Sequence, residues 1–113
     1  MLDSMVSIEE FKNIEIRIGK IIEVKDHETA KKPMYILRLD FGSEIGERIV
    51  VAGIRDRYMK DELLGKKIAC VVNLEPKSVA GVESRGMVLA AESGDSLSLI
   101  VPDREMEEGS RVY

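Results

Sequence analysis

Asn73, Lys77, Ser84 and Arg85 lie within one run, VVNLEPKSVAGVESRGMVLAA, at residues 71–91. An asparagine amide both donates and accepts, a hydroxyl does the same on a shorter arm, and the two cations donate only. Pro76 stiffens the chain after Asn73, and Gly81 and Gly86 allow tight turns. Two apolar, β-like runs flank this segment. A plain hairpin needs only about two to five turn residues, so the longer connection is either an ordered binding surface or a structural detour. In the second reading Asn73 and Ser84 only satisfy backbone groups within the loop. The donors and acceptors at both ends fit recognition of a ligand better than bond making.

Catalysis has little to work with. Nucleophilic hydrolysis needs a nucleophile, a base and an orienting group. The single histidine, His27, stands beside Glu28 in a polar stretch and reads as a solvated loop residue. One cysteine and one histidine are too few for a Cys/His metal site. Asp61-Glu62 and Glu107-Glu108 are neighbours in sequence and read as surface. No glycine-rich phosphate loop follows a strand. The chain is therefore not expected to be an enzyme or to carry a cofactor or metal.

The elements that position these residues follow from periodicity. Ser7-Ile8-Glu9-Glu10 is a capping-box pattern that starts a short helix. Ile14, Ile16, Ile18, Ile22 and Val24 then recur at period two, a strand signal, with a bulge or sharp bend expected at Gly19-Lys20. From Met34 to Phe41 the alternation puts Tyr35, Leu37, Leu39 and Phe41 on one face. A turn at residues 42–46 leads into a strand from Arg48 to Gly53, completing a hairpin. RDRYMKDELL at 55–64 suits one or two helical turns stopped by Gly65. In the strand Lys66–Leu74, residues Ile68, Cys70, Val72 and Leu74 point one way and Ala69, Val71 and Asn73 the other. Met87–Ala91 and Leu97–Val101 are further strands, and Arg111-Val112-Tyr113 closes the chain with another short one. So many short strands must close up to protect their edges. The expected fold is all-β: a five-stranded OB-fold barrel with a short N-terminal helix and a short helical connector between strands 3 and 4. With 113 residues, a single domain over 1–113 is expected.

Composition narrows the partners. The net charge is −4, which argues against indiscriminate nucleic-acid binding. The charge is uneven: residues 1–11 and 86–113 are acidic, and residues 12–85 carry 15 bases against 12 acids. A local cationic face is therefore possible on an acidic molecule. No apolar run approaches the roughly 20 residues of a membrane span, and MLDSMVSIEEF has no basic leader pattern. The lone Cys70, in the apolar run IACVV, reads as a buried, inert thiol. A cytoplasmic, reducing setting is expected.

The run VVNLEPKSVAGVESRGMVLAA resembles the signature of the tRNA-binding domain family. That family includes the C-terminal domain of methionyl-tRNA synthetases, free-standing tRNA-binding proteins, the domain shared with endothelial monocyte-activating polypeptide, and the CsaA secretion chaperones. The resemblance rests on Asn73-Leu74, Gly81-Val82-Glu83-Ser84 and Gly86-Met87. Upstream, FKNIEIRIGKIIEVKDHETAKKPMYILRLDFG and IVVAGIRDRYMKDELLGKKIACVVNL are similar to the family's first four strands, so residues 11–101 are covered. The resemblance implies a non-catalytic OB-fold module that reads the outer corner of tRNA by shape. It would be a homodimer, free-standing or acting in trans with an aminoacyl-tRNA synthetase, methionyl type first. Asn73, Ser84 and Met87 match the family's binding surface, and Lys77 and Arg85 stand where phosphate contacts are expected. Lys32 and Arg38 extend that cationic surface, with Lys31, Arg55 and Lys60 as further members. Arg17 is read equally well as a structural ion-pair partner.

Two departures point elsewhere. Glu75 and Ser78-Val79 occupy places where many relatives are more basic, and residues 28–46 are similar to the CsaA branch, whereas Ser84–Met87 is similar to the synthetase branch. The alternative is a CsaA-like peptide-binding export chaperone, with Ile36, Val79 and Met87 as apolar contacts.

Overall fold

A computed structural model describes residues 4–113. The elements in order are α1 (Ile8–Lys12), β1 (Ile16–Asp26), β2 (Tyr35–Asp40), α2 (Gly42–Ile45), β3 (Glu47–Ala52), α3 (Lys60–Leu63), β4 (Lys67–Val71), β5 (Lys77–Val79), β6 (Val82–Ser84), β7 (Met87–Val88), β8 (Ala90–Ser93), β9 (Ser96–Leu99) and β10 (Arg111–Val112). The main sheet runs β3-β2-β1-β4-β7 with antiparallel pairing throughout, and β10 adds to β1. The sheet curls until its ends meet. There the Arg85 amide donates to the Ile49 carbonyl at 2.9 Å, and the Val51 amide donates to Ser84 Oγ at 2.9 Å. The result is the expected five-stranded antiparallel barrel, nearly closed, with α3 between β3 and β4.

The barrel core contains Ile21, Leu37, Leu39, Phe41, Val50, Leu63, Ile68 and Cys70, all fully buried. The face read from Tyr35, Leu37, Leu39 and Phe41 is the core face of β2. The alternation holds through β4, with Ile68, Cys70 and Val72 in the barrel core, and the opposite face is covered as well. Ala69 and Val71 join Ile16 and Ile18 in a second apolar cluster outside the barrel, against which Leu89 and Val112 pack. Leu74, expected on the core face, has left the strand and is 46% exposed.

The irregularity in β1 lies elsewhere than at Gly19-Lys20. Ile21 pairs with Leu39 and Glu23 with Arg38, so Ile22 is the extra, bulged residue. Alternation puts Ile16 and Ile18 in the outer cluster and Ile21 in the barrel, and the bulge then reverses the strand's phase so that Val24 also serves the barrel. Gly19 is needed for a different reason. A Cβ there would lie 2.5 Å from Phe41 Cε1, so the ring fills the space of the missing side chain.

The helix α1 is closed by its own cap, and the C-terminal segment is stitched to the barrel. Ser7 caps α1 as the sequence predicts: its Oγ accepts from the Glu10 amide at 3.0 Å, and the Glu10 carboxylate accepts from the Ser7 amide at 2.9 Å. The C-terminal segment is tied down by the Gly109 amide donating to the Ile18 carbonyl at 2.7 Å and by Arg17 Nη1 donating to the Gly109 carbonyl at 2.9 Å. Arg17 also pairs with Glu15 and Glu44, and the hydrogen bond it donates to Glu15 leads the effects that raise its pKa. Lys67 grips the same segment through Glu105, Glu108 and the Met106 carbonyl.

Candidate nucleic-acid interface

The connection between β4 and β7 is not a loop. It folds into the β5–β6 hairpin, with Lys77 opposite Ser84, Ser78 opposite Glu83 and Val79 opposite Val82. Ala80 (φ 49°) and Gly81 (φ 89°) form its two-residue turn. Positive φ at both central positions is the type I′ signature, whose twist matches the strands it joins. The sequence signal was Ala80-Gly81 between two short β-like pairs, weaker than the usual Asn-Gly because alanine disfavours this conformation.

The hairpin walls a groove of about 720 Å³. Its apolar lining is Met34, Val51, Leu74, Val79 and Met87, and its charged lining is Glu75 and Lys77. Met87 is 48% exposed and offers a flexible, polarisable side chain suited to irregular partners. Lys77 is exposed and, among the described residues, has no carboxylate within ion-pair range, and the same holds for Lys32.

The other expected contact residues are placed differently. Asn73 Nδ2 donates to the Asn13 carbonyl at 2.7 Å, and its Oδ1 accepts from the Glu15 amide at 2.8 Å. Both polar ends of the amide are thus engaged by the segment joining α1 to β1. The groups it satisfies lie about 60 residues away in sequence, outside its own loop. Ser84 is only 6% exposed, and its Oγ, besides accepting from Val51, donates to the Gly86 carbonyl at 3.4 Å. Gly86 (φ 147°) is forced by the same crowding: a Cβ there would sit 3.0 Å from the Val71 carbonyl oxygen. Asn73 and Ser84 therefore build the wall and leave their polar groups little to offer a ligand directly.

Arg85 pairs with Glu83 at 3.4 Å, both exposed. Arg38 points outward from β2 and holds Glu23 at 2.9 Å and Glu47 at 3.4 Å. The Arg38 hydrogen bond, followed by Lys25, keeps the Glu23 carboxyl below its ordinary range. Arg55 and Lys60 share Asp26 at 3.5 and 3.3 Å, away from the groove lining.

Two residues not anticipated as site members belong here. Arg48 lies partly buried in β3, in phase with the core residues Val50 and Ala52 that follow it, and its Nη1 donates to the Val72 carbonyl beside Asn73. A guanidinium at an inward strand position was the available signal. His27 is the second. Instead of a solvated loop residue it is 2% exposed, its Nε2 2.7 Å from the Val79 carbonyl oxygen. Cys70 is buried as expected, and burial pushes its thiol up to about 12, where no reactive thiolate forms near neutral pH. Among the described residues no group of three or more His, Cys, Asp or Glu side chains could hold a metal, and no helix is long and apolar enough to cross a membrane.

Barrel topology, a helical connector after the third strand and a hairpin-walled groove define a small OB-fold binding module. Residues 16–111 match the family described as "Putative tRNA binding domain", and the chain belongs to that tRNA-binding domain family. It is 49% identical over 107 residues to the methionine–tRNA ligase of Pyrococcus furiosus, which covers 95% of this chain and 14% of that enzyme. The methionine–tRNA ligase of Methanoculleus marisnigri is 48% identical over 108 residues, with 16% of the enzyme covered. The chain thus spans about one-seventh of the length of these synthetases. Among solved structures, the CsaA chaperone protein from Picrophilus torridus superposes with a TM-score of 0.91 at 42% identity, covering 96% of this chain and 100% of that one. The MetRS-related protein from Pyrococcus horikoshii gives 0.88 at 37%, covering 97% and 99%.

Proposed function

We propose that this chain is a non-catalytic, structure-specific tRNA-binding module of the cytoplasm that acts as a homodimer, free-standing or in trans with an aminoacyl-tRNA synthetase, the methionyl enzyme first. The observation that carries the reading is the ordered hairpin, which presents Lys77 and Met87 at one groove in a chain of the tRNA-binding domain family. Lys77 and Lys32 supply phosphate attraction from exposed positions. Arg85 and Arg38 exchange their carboxylate partners for phosphate as RNA arrives, so each contributes less than an unpaired cation would. Met87 gives apolar contact to a base or ribose face. Asn73 and Ser84 act indirectly, by holding the hairpin and the β4–β5 bend in shape. Folded RNA is read by contour and phosphate position, which suits a rigid shelf with few aromatics.

Dimerisation rests on apolar surface at both ends of the chain. Met5, Val6, Ile8 and Phe11 are exposed around α1, which has no buried residue, and Met106 and Tyr113 are exposed at the other end. A second copy covering these residues would give sedimentation at about twice the 12.7 kDa monomer; a monomer at micromolar concentration would refute the dimer.

A second reading is favoured by one observation, the mostly apolar floor of the groove. In that reading the groove holds extended polypeptide, as in a CsaA-like chaperone, with Val79 and Met87 as contacts. Filter-binding titration with total tRNA, run beside a fluorescent unfolded peptide, separates the two. Salt-sensitive tRNA retention supports the module. Peptide binding without tRNA retention favours the chaperone.

A further inference from the structure

Among the described residues two polar side chains other than the core Tyr35 and Cys70 are buried, His27 and Ser84, and both hold the same β5–β6 hairpin. Ser84 ties its base to β3 through the Val51 amide. His27 holds its far end, 52 residues away in sequence, through the Val79 carbonyl. Thr29 adds a second bond at the turn itself, donating to the Ala80 carbonyl at 3.0 Å.

The turn needs holding. Ala80 is the only non-glycine residue with positive φ among those described. Such a conformation costs an alanine on the order of 1 kcal/mol and persists where its surroundings fix it. Three strand pairs alone make a marginal hairpin. His27 is itself held: its amide donates to the Met34 carbonyl at 3.0 Å, and its carbonyl accepts from the Ala30 amide at 3.4 Å. The ring is thus fixed to the barrel side of the groove, next to the lining residue Met34.

The bond also fixes the tautomer. The Val79 carbonyl only accepts, so Nε2 carries the proton. Thr29 has one hydroxyl proton, and the shorter contact sends it to Ala80, leaving Nδ1 facing Thr29 Oγ1 at 3.4 Å.

We propose that His27 and Thr29 form a latch that sets the position of the β5–β6 hairpin, so that His27 is a positioning residue for the groove although it does not line it. The consequence for ligand binding rests on the tRNA-binding reading above; the latch itself does not. Replacing His27 should loosen residues 77–84 while the barrel strands stay protected. Lys77 and Val79 would then sample many positions, and affinity would fall without any cation being removed.

The test is amide hydrogen exchange over residues 77–84 in the full chain, measured for wild type, His27→Ala, His27→Gln and Thr29→Val, beside tRNA titrations in rising salt. Exchange at 77–84 should quicken in His27→Ala and Thr29→Val while β1–β4 keep their protection. Affinity of His27→Ala should fall about tenfold, the scale of one lost hydrogen bond to a buried group, with an unchanged salt slope. The Gln side chain, whose amide also donates, should recover most of it. The imidazole nitrogen shifts should report the Nε2–H form. Unchanged exchange at 77–84, or an Nδ1–H ring, would overturn the latch, and faster exchange with unchanged affinity would overturn the positioning role. If His27→Ala fails to fold, Thr29→Val decides by the same exchange readout. If wild type itself retains no tRNA, the functional reading fails while the exchange result still decides the latch.

Discussion

At Asn73 a single amide closes two gaps in the backbone. The Asn13 carbonyl and the Glu15 amide flank the turn between α1 and β1, where neither helix nor sheet supplies a partner, and Asn73 serves both. Its residue type and its place near the end of the fourth strand were legible in the sequence, although β4 stops at Val71 and leaves it just beyond. What its amide bonds to was not, because the partners lie about 60 residues away and are backbone groups with no sequence signature. The same holds for Ser84 and His27. Asn73→Ala should cost about 1 kcal/mol in urea unfolding, the net scale of intramolecular hydrogen bonds whose groups water can reach, and should leave the salt dependence of tRNA binding intact. Full stability with lost affinity would instead make Asn73 a direct ligand contact.

Among the elements, β1 carries most of the geometry. Its alternation serves two apolar clusters, its bulge at Ile22 keeps Val24 on the barrel side after Ile21, and Gly19 admits the Phe41 ring. Period-two counting located the strand but placed the irregularity at the glycine, because a glycine inside a strand signals either a bulge or a close approach. Here it is a close approach, and only the position of Phe41 in space decides that. Gly19→Ala should destabilise by about 1–3 kcal/mol through overpacking. In a Phe41→Leu background the alanine should cost much less, and a double-mutant cycle that came out additive would contradict the contact.

The outer face of β1 and β2 carries an acid-sensitive pair. Arg38, and then Lys25, hold the Glu23 carboxyl below its ordinary range, so near pH 4 the unfolded chain binds more protons than the folded one. The pair's contribution is present above that range and is lost as pH falls through the lowered folded value. Urea midpoints taken from pH 7 to about pH 3 should therefore converge for wild type and Arg38→Gln at the acid end. A gap that stays constant over the whole range would contradict the pairing. The strand pattern revealed which face Arg38 occupies, but not that two glutamates on neighbouring strands would meet it.

For the molecule as a whole, the proposed binding of tRNA requires an acidic chain to attract a polyanion locally. The net charge is −4, and eight of the cations in the described residues are held in ion pairs: Arg17, Lys25, Arg38, Arg55, Arg57, Lys60, Lys67 and Arg85. Barrel, helical connector and closing strands were readable because each depends on local periodicity and turn chemistry. The hairpin inside the 71–91 segment was harder to read, since its strands are three residues long and its turn uses alanine where asparagine is usual. Of the cations, Lys77 is the one that lines the groove.

The most direct measurement is tRNA affinity over about 50 to 300 mM salt for wild type and Lys77→Ala. Wild type should give a log–log slope of a few units at most, and the Lys77→Ala slope should be shallower by about one. Binding indifferent to salt, or a Lys77→Ala titration that overlays wild type, would contradict the placement of a phosphate-binding groove beneath the β5–β6 hairpin.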